Sequence, residues 1–210
     1  MMTAALTTTA LLRRLETAAG LSLPDVDRLL GAVRVKPIAE RQAAFREDEV
    51  CPRLFIVRSG LFKQVYTTDQ GTEWVKSFAR EGEAFACPIA LSGDRTTFAS
   101  VAIEPSVVEV IEWPDVEALG AGDLSWQRAI RFAYQRLAEL KVRRERDLLM
   151  LTAEQLYRQF AASSPELLNR IAQKDLAAFL GVTAVGLNRI VKRVRSSGVG
   201  LTSSSGFRRT

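Results

Sequence analysis

The sequence contains no histidine and only two cysteines among its 210 residues, which excludes several kinds of functional site. Without histidine, the chain cannot build a histidine-ligated metal or haem site, nor the usual Ser-His-Asp and Cys-His catalytic groups. Two thiols cannot supply the four thiolates of an iron–sulfur cluster within one chain. No set of carboxylates stands at a spacing that suggests acid–base catalysis. We therefore expect no metal, no cofactor and no enzyme activity.

Long apolar runs are also missing from the sequence, and none reaches the length of a membrane span. The segment MMTAALTTTALLRRLE has no cationic start before an apolar stretch, which argues against a secretory signal. With 47% apolar and 25% charged residues, the composition is that of a globular chain that forms a core. We expect a cytoplasmic protein with no membrane partner.

The positive charge of the chain is concentrated in its last 60 residues. Residues 151–210 contain nine Lys/Arg and three Asp/Glu, a net charge of +6. Residues 1–150 contain twenty Lys/Arg and twenty-one Asp/Glu, a net charge of −1. A small basic module beside a nearly neutral body is typical of a nucleic-acid-binding protein.

Residues 10–35 have a helical pattern. After them, from Val33 to Trp113, come short apolar runs separated by Gly, Asp and Pro. The clearest runs are Arg53–Val57, Gly60–Tyr66, Glu73–Phe78, Phe98–Ile103 and Val107–Trp113. Two of them flank the turn at residues 68–71. Strands of this length and spacing predict an antiparallel sandwich or barrel rather than βαβ units.

The helical pattern returns after Pro114, and residues 125–151 contain neither glycine nor proline. Apolar side chains recur there at spacings of four and three residues, as in a coiled-coil seam: Trp126, Ile130, Ala133, Leu137 and Leu140. The register then reaches Arg144 and Asp147, so we expect the tight seam to end near Leu140. The helix packs either on its symmetry mate in a dimer or on its own barrel, and its length favours the dimer.

Residues 173–195 predict two helices joined by a glycine turn, the helix-turn-helix pattern. Gly181 supplies the positive φ of the turn, and Thr183 is suited to cap the second helix. An inward stripe follows at helical spacing: Leu187, Ile190, Val191 and Val194. The alternative is an ordinary helical hairpin with a solvated basic face.

The remaining face of the second helix and the start of the first supply the side chains that we expect to contact DNA. This set is Gln173, Lys174, Thr183, Ala184, Val185, Asn188, Arg189, Lys192 and Arg193. Ala184 and Val185 can touch a thymine methyl group, and Asn188 can pair with an adenine edge. Arg189 suits guanine or phosphate, and the other cations suit phosphate. We predict an A/T-tolerant site with a steep salt dependence.

Local signals also mark the ends of other C-terminal elements. Thr152-Ala-Glu-Gln155 is a capping box, which predicts that a helix starts there, and Ser164-Pro165 predicts the start of another. The Gly/Ser-rich segment 198–210 is either a short β-wing or a frayed tail.

These elements, in this order, resemble one family, the CRP/FNR-type transcription regulators, over about residues 20–205. Residues 53–60 resemble its barrel strand ending in a glycine turn, and residues 78–85 resemble the start of its phosphate-binding cassette. The winged-helix start and first reading helix have similar counterparts at residues 151–157 and 171–177. Leu187-Asn-Arg-Ile190 resembles the recognition-helix signature.

The resemblance implies an α+β fold with an N-terminal antiparallel β-barrel or jelly roll of the cyclic-nucleotide-binding type at residues 1–122. A long dimerisation helix follows at 123–151, and a C-terminal winged helix-turn-helix at 152–210. The resemblance also implies a homodimer that binds a two-fold symmetric site on double-stranded DNA and controls transcription, often under a small-molecule effector. RNA polymerase is a further candidate partner.

The cassette departs from the cyclic-nucleotide pattern of that family. The glycine and glutamate positions fall on Ala86 and Cys87, and the arginine and hydroxyl positions fall on Thr97 and Phe98. Burial of a phosphate without its charged partner is unfavourable by several kcal/mol. Arg95 stands two residues before the arginine position, and the long helix after Trp126 has no Ser or Thr to meet a base. We predict that cyclic AMP does not bind with useful affinity.

Three hypotheses remain for the barrel: a smaller or more apolar effector, redox sensing by Cys51 or Cys87, and constitutive DNA binding without an effector. The candidate pocket residues are Gly82, Glu83, Phe85, Cys87, Arg95, Thr97 and Phe98. Buried packing is the commoner role of a free cysteine. The alternative function is a small-molecule or redox module whose C-terminal domain contacts proteins, and the C-terminal charge favours DNA instead.

Overall fold

The computed structural model describes residues 7–196, which form eight α-helices and eight β-strands. The helices are α1 Thr7–Ala19, α2 Val26–Ala32, α3 Pro88–Leu91, α4 Trp113–Gly122, α5 Leu124–Met150, α6 Ala153–Ser163, α7 Gln173–Leu180 and α8 Ala184–Ser196. The strands are β1 Arg34–Ile38, β2 Ala43–Phe45, β3 Arg53–Ser59, β4 Phe62–Thr67, β5 Glu73–Ala79, β6 Ala84–Phe85, β7 Ala99–Ala102 and β8 Ser106–Glu112.

The strands form two four-stranded sheets with the orders β1-β8-β3-β6 and β2-β7-β4-β5. Neighbouring strands such as β3 and β8 pair in antiparallel register, with Leu54 opposite Ile111. This confirms the predicted α+β class with antiparallel N-terminal strands. Strands β1 and β2 carry no clear strand signal in the sequence. Strand β1 contains Pro37 and lies at a sheet edge, where the missing amide proton is tolerated.

The described residues divide into two compact units. The barrel unit contains residues 7–66 and 78–139, and the C-terminal unit contains residues 67–77 and 140–196. The division falls inside α5, whereas the sequence places the whole long helix in a segment of its own. The reason is that a continuous helix makes its contacts with different neighbours along its length.

Helix α1 is attached to the barrel through a buried carboxylate. Glu109 on β8 is fully buried, and its two oxygens accept hydrogen bonds from the backbone N–H groups of Thr7 and Thr8, each at 2.7 Å. The Thr8 hydroxyl donates to the same carboxylate at 2.7 Å. A negative charge at a helix N-terminus is favourable because it meets unpaired amides and the positive end of the helix dipole. Arg58 Nη1 lies 3.9 Å from Glu109 and partly balances the charge.

The C-terminal unit confirms most of the predicted local signals. Thr152 caps α6 in a capping box, with Gln155 N–H donating to the Thr152 hydroxyl at 3.3 Å and Thr152 N–H donating to Gln155 Oε1 at 2.8 Å. The helix expected after Ser164 is a short 3-10 helix, Pro165–Asn169, and Ser164 makes no side-chain cap. The wing or tail predicted at residues 198–210 lies outside the described residues.

Within residues 7–196, no helix is both long enough and apolar enough to cross a membrane.

Candidate nucleic-acid interface and barrel interior

Helices α7 and α8 form the predicted helix-turn-helix. Gly181 ends α7 with φ 71° and ψ 29°, a left-handed conformation that favours glycine. The Thr183 hydroxyl accepts a hydrogen bond from Gly186 N–H at 3.1 Å and so caps α8. The inward stripe of α8 is buried at all four predicted positions: Leu187, Ile190, Val191 and Val194. Burial of this stripe determines which face of α8 meets solvent.

The outward face of α8 carries small, apolar and cationic side chains. Val185 is 61% exposed, and Ala184, Arg189 and Lys192 are exposed as well. Lys174, at the start of α7, is also exposed. Cations concentrate towards the C-terminus of α8, where they complement the helix dipole; one of them, Arg195, is exposed and is missing from the predicted contact set.

Two of the predicted DNA-contacting amides are paired with each other. Gln173 Nε2 donates a hydrogen bond to Asn188 Oδ1 and thereby links the start of α7 to the first turns of α8. An adenine edge that pairs with Asn188 must compete with Gln173 or share the amide with it. The sequence does not reveal this pair because the two residues are 15 positions apart.

Arg193 is held by an acidic residue of its own chain. Arg193 Nη1 lies 2.9 Å from Glu154 Oε2, and Arg158 Nη2 lies 3.0 Å from Glu154 Oε1. Hydrogen bonds from Arg158 and Arg193 hold the pKa of the Glu154 carboxyl below its ordinary value. The prediction treats Arg193 as an available phosphate partner, and the structure instead gives it a carboxylate partner on α6.

A second arginine outside the predicted set contacts the helix pair. Arg144, near the end of α5, donates a hydrogen bond to the carbonyl oxygen of Phe179 on α7. Its guanidinium carbon lies 3.9 Å from the centroid of the Phe179 ring. Burial lowers the pKa of the Arg144 guanidinium. The sequence shows this residue only as the point where the apolar seam of α5 stops.

Aromatic rings fill the interior of the barrel. Phe85 stacks on Phe55 with ring centroids 5.1 Å apart and planes inclined by 6°, and it also lies 5.0 Å from Phe62. Phe45 contacts Phe98 at 5.4 Å in an edge-to-face arrangement. Cys87 belongs to the same buried core and is 1% exposed. Phe85, Cys87 and Phe98, which we expected to line an effector pocket, are packed as core residues.

The polar members of the predicted pocket lie on the surface loops of the cassette. Gly82 adopts φ 77°, and its carbonyl oxygen accepts a hydrogen bond from Arg14 of α1. Glu83 pairs with Arg80 at 3.5 Å. Arg95 does not enter the barrel: its side chain is 59% exposed and lies 3.7 Å from Asp48 Oδ1.

Arg95 also donates to the Asp48 carbonyl oxygen at 2.6 Å. Thr97 is exposed, and its hydroxyl lies 3.8 Å from Cys87 Sγ. Among the described residues of the cassette, no cation is therefore directed at the position where the family pattern places its phosphate-binding arginine. Arg95, two residues before that position in the sequence, is paired with Asp48 instead.

Both cysteines are buried in the barrel core. Cys51 is 3% exposed, and burial raises the pKa of its thiol. A thiolate is the reactive form of cysteine, so both features disfavour oxidation of Cys51.

The long helix α5 contacts its own barrel in its first turns. Trp126 is 2% exposed and packs with residues of α1, α2 and α4, and its indole N–H donates to the Pro24 carbonyl oxygen at 2.8 Å. The prediction that Trp126 belongs to a dimer seam is therefore wrong, because its side chain is already covered within the subunit. Ile130 is half-buried against the same cluster.

Later seam positions on α5 are less buried than Trp126. Ala133 is exposed, Leu137 is half-buried and Leu140 is 58% exposed. Leu149 and Met150, near the end of the helix, are 77% and 73% exposed. A second helix packed on this part of α5 would bury these side chains.

Comparisons with known proteins agree with this architecture. Residues 35–123 match the cyclic nucleotide-binding domain family. The fumarate and nitrate reduction regulatory protein of Escherichia coli K12 is 27% identical over 192 residues, which cover 83% of this chain and 74% of that protein. The fumarate nitrate reduction regulatory protein of Klebsiella oxytoca is 26% identical over the same length and coverage.

Solved structures show the same fold at lower sequence identity. FixK2 from Bradyrhizobium japonicum matches with a TM-score of 0.69 and 17% identity, covering 82% of this chain and 89% of that one. A CooA mutant from Carboxydothermus hydrogenoformans matches with a TM-score of 0.67 and 12% identity, covering 85% and 84%. The family model covers residues 35–123, and the sequence relatives and solved structures extend the likeness over most of the chain, which is therefore similar to CRP/FNR-type transcription regulators.

Proposed function

We propose that this transcription regulator binds a two-fold symmetric site on duplex DNA as a homodimer and does so without cyclic AMP. The proposed location is the cytoplasm, with RNA polymerase as a candidate partner. The exposed face of α8 carries the proposal: Val185, Arg189 and Lys192 point away from the buried stripe, at the cationic end of the chain. A helix with this face fits the major groove, where cations meet phosphates and short side chains approach base edges.

DNA binding is tested by selecting duplexes from a random library with the purified protein and measuring affinity for the selected duplex by fluorescence anisotropy over a salt series. We expect a palindromic site and a steep fall in affinity with salt. Arg189→Ala should weaken binding and relax the preference at one position in each half-site. No enrichment of any duplex at low salt would contradict the proposed function.

Dimer formation is supported by half-buried and exposed apolar side chains of α5. Leu137 and Leu140 follow one another on one side of the helix beyond the barrel contacts of Trp126. Replacing both leucines by glutamate should convert a dimer to a monomer in sedimentation equilibrium, because like charges would face one another across the seam. Replacing the exposed Gln127 and Gln135 by glutamate, which adds the same two negative charges, is the control. A monomeric wild-type protein would contradict the dimer.

Independence from cyclic AMP is supported by the contents of the barrel. A cyclic nucleotide needs a cation for its phosphate and space for its base, whereas Phe85 and Phe98 pack in the core and Arg95 is directed to Asp48. Isothermal titration should detect no heat of binding at micromolar cyclic AMP. Micromolar or tighter binding would overturn this part of the proposal.

A module that senses redox conditions and contacts proteins instead of DNA has less support. Cys51 is buried with a raised thiol pKa, and the exposed cations of α8 suit a polyanion better than a neutral protein surface.

A further inference from the structure

Arg144 connects the end of the long helix to the helix that precedes the recognition helix. It donates to the Phe179 carbonyl oxygen and covers the Phe179 ring at 3.9 Å, although the two residues are 35 positions apart. Stacking and hydrogen bonding by the same guanidinium fix both its distance and its orientation, which a lysine ammonium cannot do. The contact therefore fixes the position of Phe179 of α7 relative to Arg144 of α5, in addition to attracting the two residues.

Phe179 is well placed to transmit that geometry. It lies in the last turn of α7, two residues before Gly181, and its ring also packs on Phe160 of α6 at 5.4 Å. A cation at the C-terminal end of α7 also complements the helix dipole. Movement of Arg144 would therefore displace the turn that leads into α8.

Asp147 makes a second contact on the next turn of α5. Gln159 Nε2 of α6 lies 3.4 Å from Asp147 Oδ2. Positions 144 and 147 are three residues apart and lie on one side of a helix. Arg144 and Asp147 continue the side of α5 that carries the apolar seam up to Leu140. One turn after Leu140, this side contacts α6 and α7.

We propose that Arg144 is a positioning residue that fixes the helix-turn-helix to the end of α5 and thereby sets the separation of half-sites that the dimer accepts on DNA. This inference rests on the proposed function, because it needs two recognition helices on one duplex. Dimeric helix-turn-helix proteins bind half-sites that lie one helical turn of DNA apart, roughly 34 Å. If α8 is rigidly connected to α5, the dimer binds well only to half-sites at one separation. If the connection is loose, the dimer accepts several separations.

The test uses a duplex selected from a random library by the wild-type protein, and versions of it with one or two base pairs inserted or deleted between the half-sites. Affinities are measured for wild type, Arg144→Ala, Arg144→Lys and the control Arg143→Ala, which removes an equal charge from an exposed neighbouring position. The affinity for a duplex with a single half-site reports the contact made by one helix-turn-helix, formed by α7 and α8.

We expect Arg144→Ala to lose about tenfold on the original spacing, a usual size for coupling between connected sites. Its loss on the altered spacings should be smaller, so that spacing selectivity falls, while single half-site binding stays near the wild-type value. The spacing selectivity of Arg144→Lys should lie between those of wild type and Arg144→Ala. Arg143→Ala should keep the wild-type selectivity. A purely stabilising role would lower binding on all duplexes equally, and this result would overturn the inference.

A DNA-independent measurement separates this inference from the proposed function. Nitroxide labels on Glu145→Cys and Lys192→Cys, in dimers diluted with unlabelled subunits, report the distance from α5 to α8 within one chain. We expect one narrow distance distribution with Arg144 and a broad one with Arg144→Ala. If the wild type selects no DNA, the proposed function fails, and the distance distributions still decide whether Arg144 positions α8; equal widths would overturn that role.

Discussion

Phenylalanine rings fill the interior of the barrel, whereas the outward face of α8 carries exposed cations and short side chains. The two regions therefore differ in what their side chains can do. Phe55 and Phe85 supply core stability and offer no charge to a ligand, whereas Arg189 and Lys192 have little burial and are available to a polyanion. Changes in the barrel should alter stability without altering DNA contacts, and changes on α8 should do the reverse.

The largest expected effect is on barrel stability. Phe85→Ala removes a ring that contacts Phe55 and Phe62, and a cavity of that size should lower the free energy of unfolding by about 3–5 kcal/mol. Urea unfolding followed by tryptophan fluorescence measures the change. Phe85→Leu is the control and should lose less. A loss under about 1 kcal/mol would show that the barrel interior is loosely packed and able to admit a ligand.

Glu109 provides the next largest effect. Glu109→Ala leaves the amides of Thr7 and Thr8 without their acceptor inside the protein, which should lower the free energy of unfolding by about 2–4 kcal/mol. Glu109→Gln retains one acceptor and should lose less. Hydrogen exchange should show faster exchange in α1 for both variants. Unchanged exchange in α1 would contradict the anchoring role of Glu109.

On α8, Arg189 should affect affinity and not stability. Arg189→Ala should weaken binding to the selected duplex by about 1–3 kcal/mol, because a bidentate contact to a base is lost. Its urea midpoint should equal that of wild type, since Arg189 is exposed. Equal losses on selected and random duplexes would make Arg189 a phosphate contact without a role in base preference.

The smallest expected effect separates two neighbouring cations of α8. Lys192→Ala should reduce the slope of log affinity against log salt by about 1, as expected for one lost phosphate contact. Arg193→Ala should change the slope less, because Arg193 is paired with Glu154. Glu154→Gln should release Arg193 and steepen the slope. Identical slopes for Lys192→Ala and Arg193→Ala would contradict a restraining role for Glu154.

The parts of the fold that could be predicted from the sequence depend on local signals. The Thr152 capping box and the positive φ of Gly181 are fixed by residues within one or two turns, and both are confirmed. The spacing of Trp126 along α5 shows an apolar side but not whether a partner or the same chain covers it. For that reason the assignment of Trp126 to the dimer seam is wrong.

The contacts that the sequence could not reveal join distant positions. Glu109 meets Thr8 across 101 residues, and Arg193 meets Glu154 across 39. In each case a charged side chain that appears solvated in the sequence has a specific partner in the fold. Arg144 illustrates the same limit, because it interrupts an apolar register in the sequence and contacts Phe179 in the structure.

The most direct test is an anisotropy titration of the selected duplex with and without saturating cyclic AMP. If α8 supplies the binding energy and the barrel has no site for a cyclic nucleotide, the two binding curves will coincide. A shift of the curve by cyclic AMP would contradict the account, because it would require a nucleotide site in a barrel whose core contains Phe85 and Phe98.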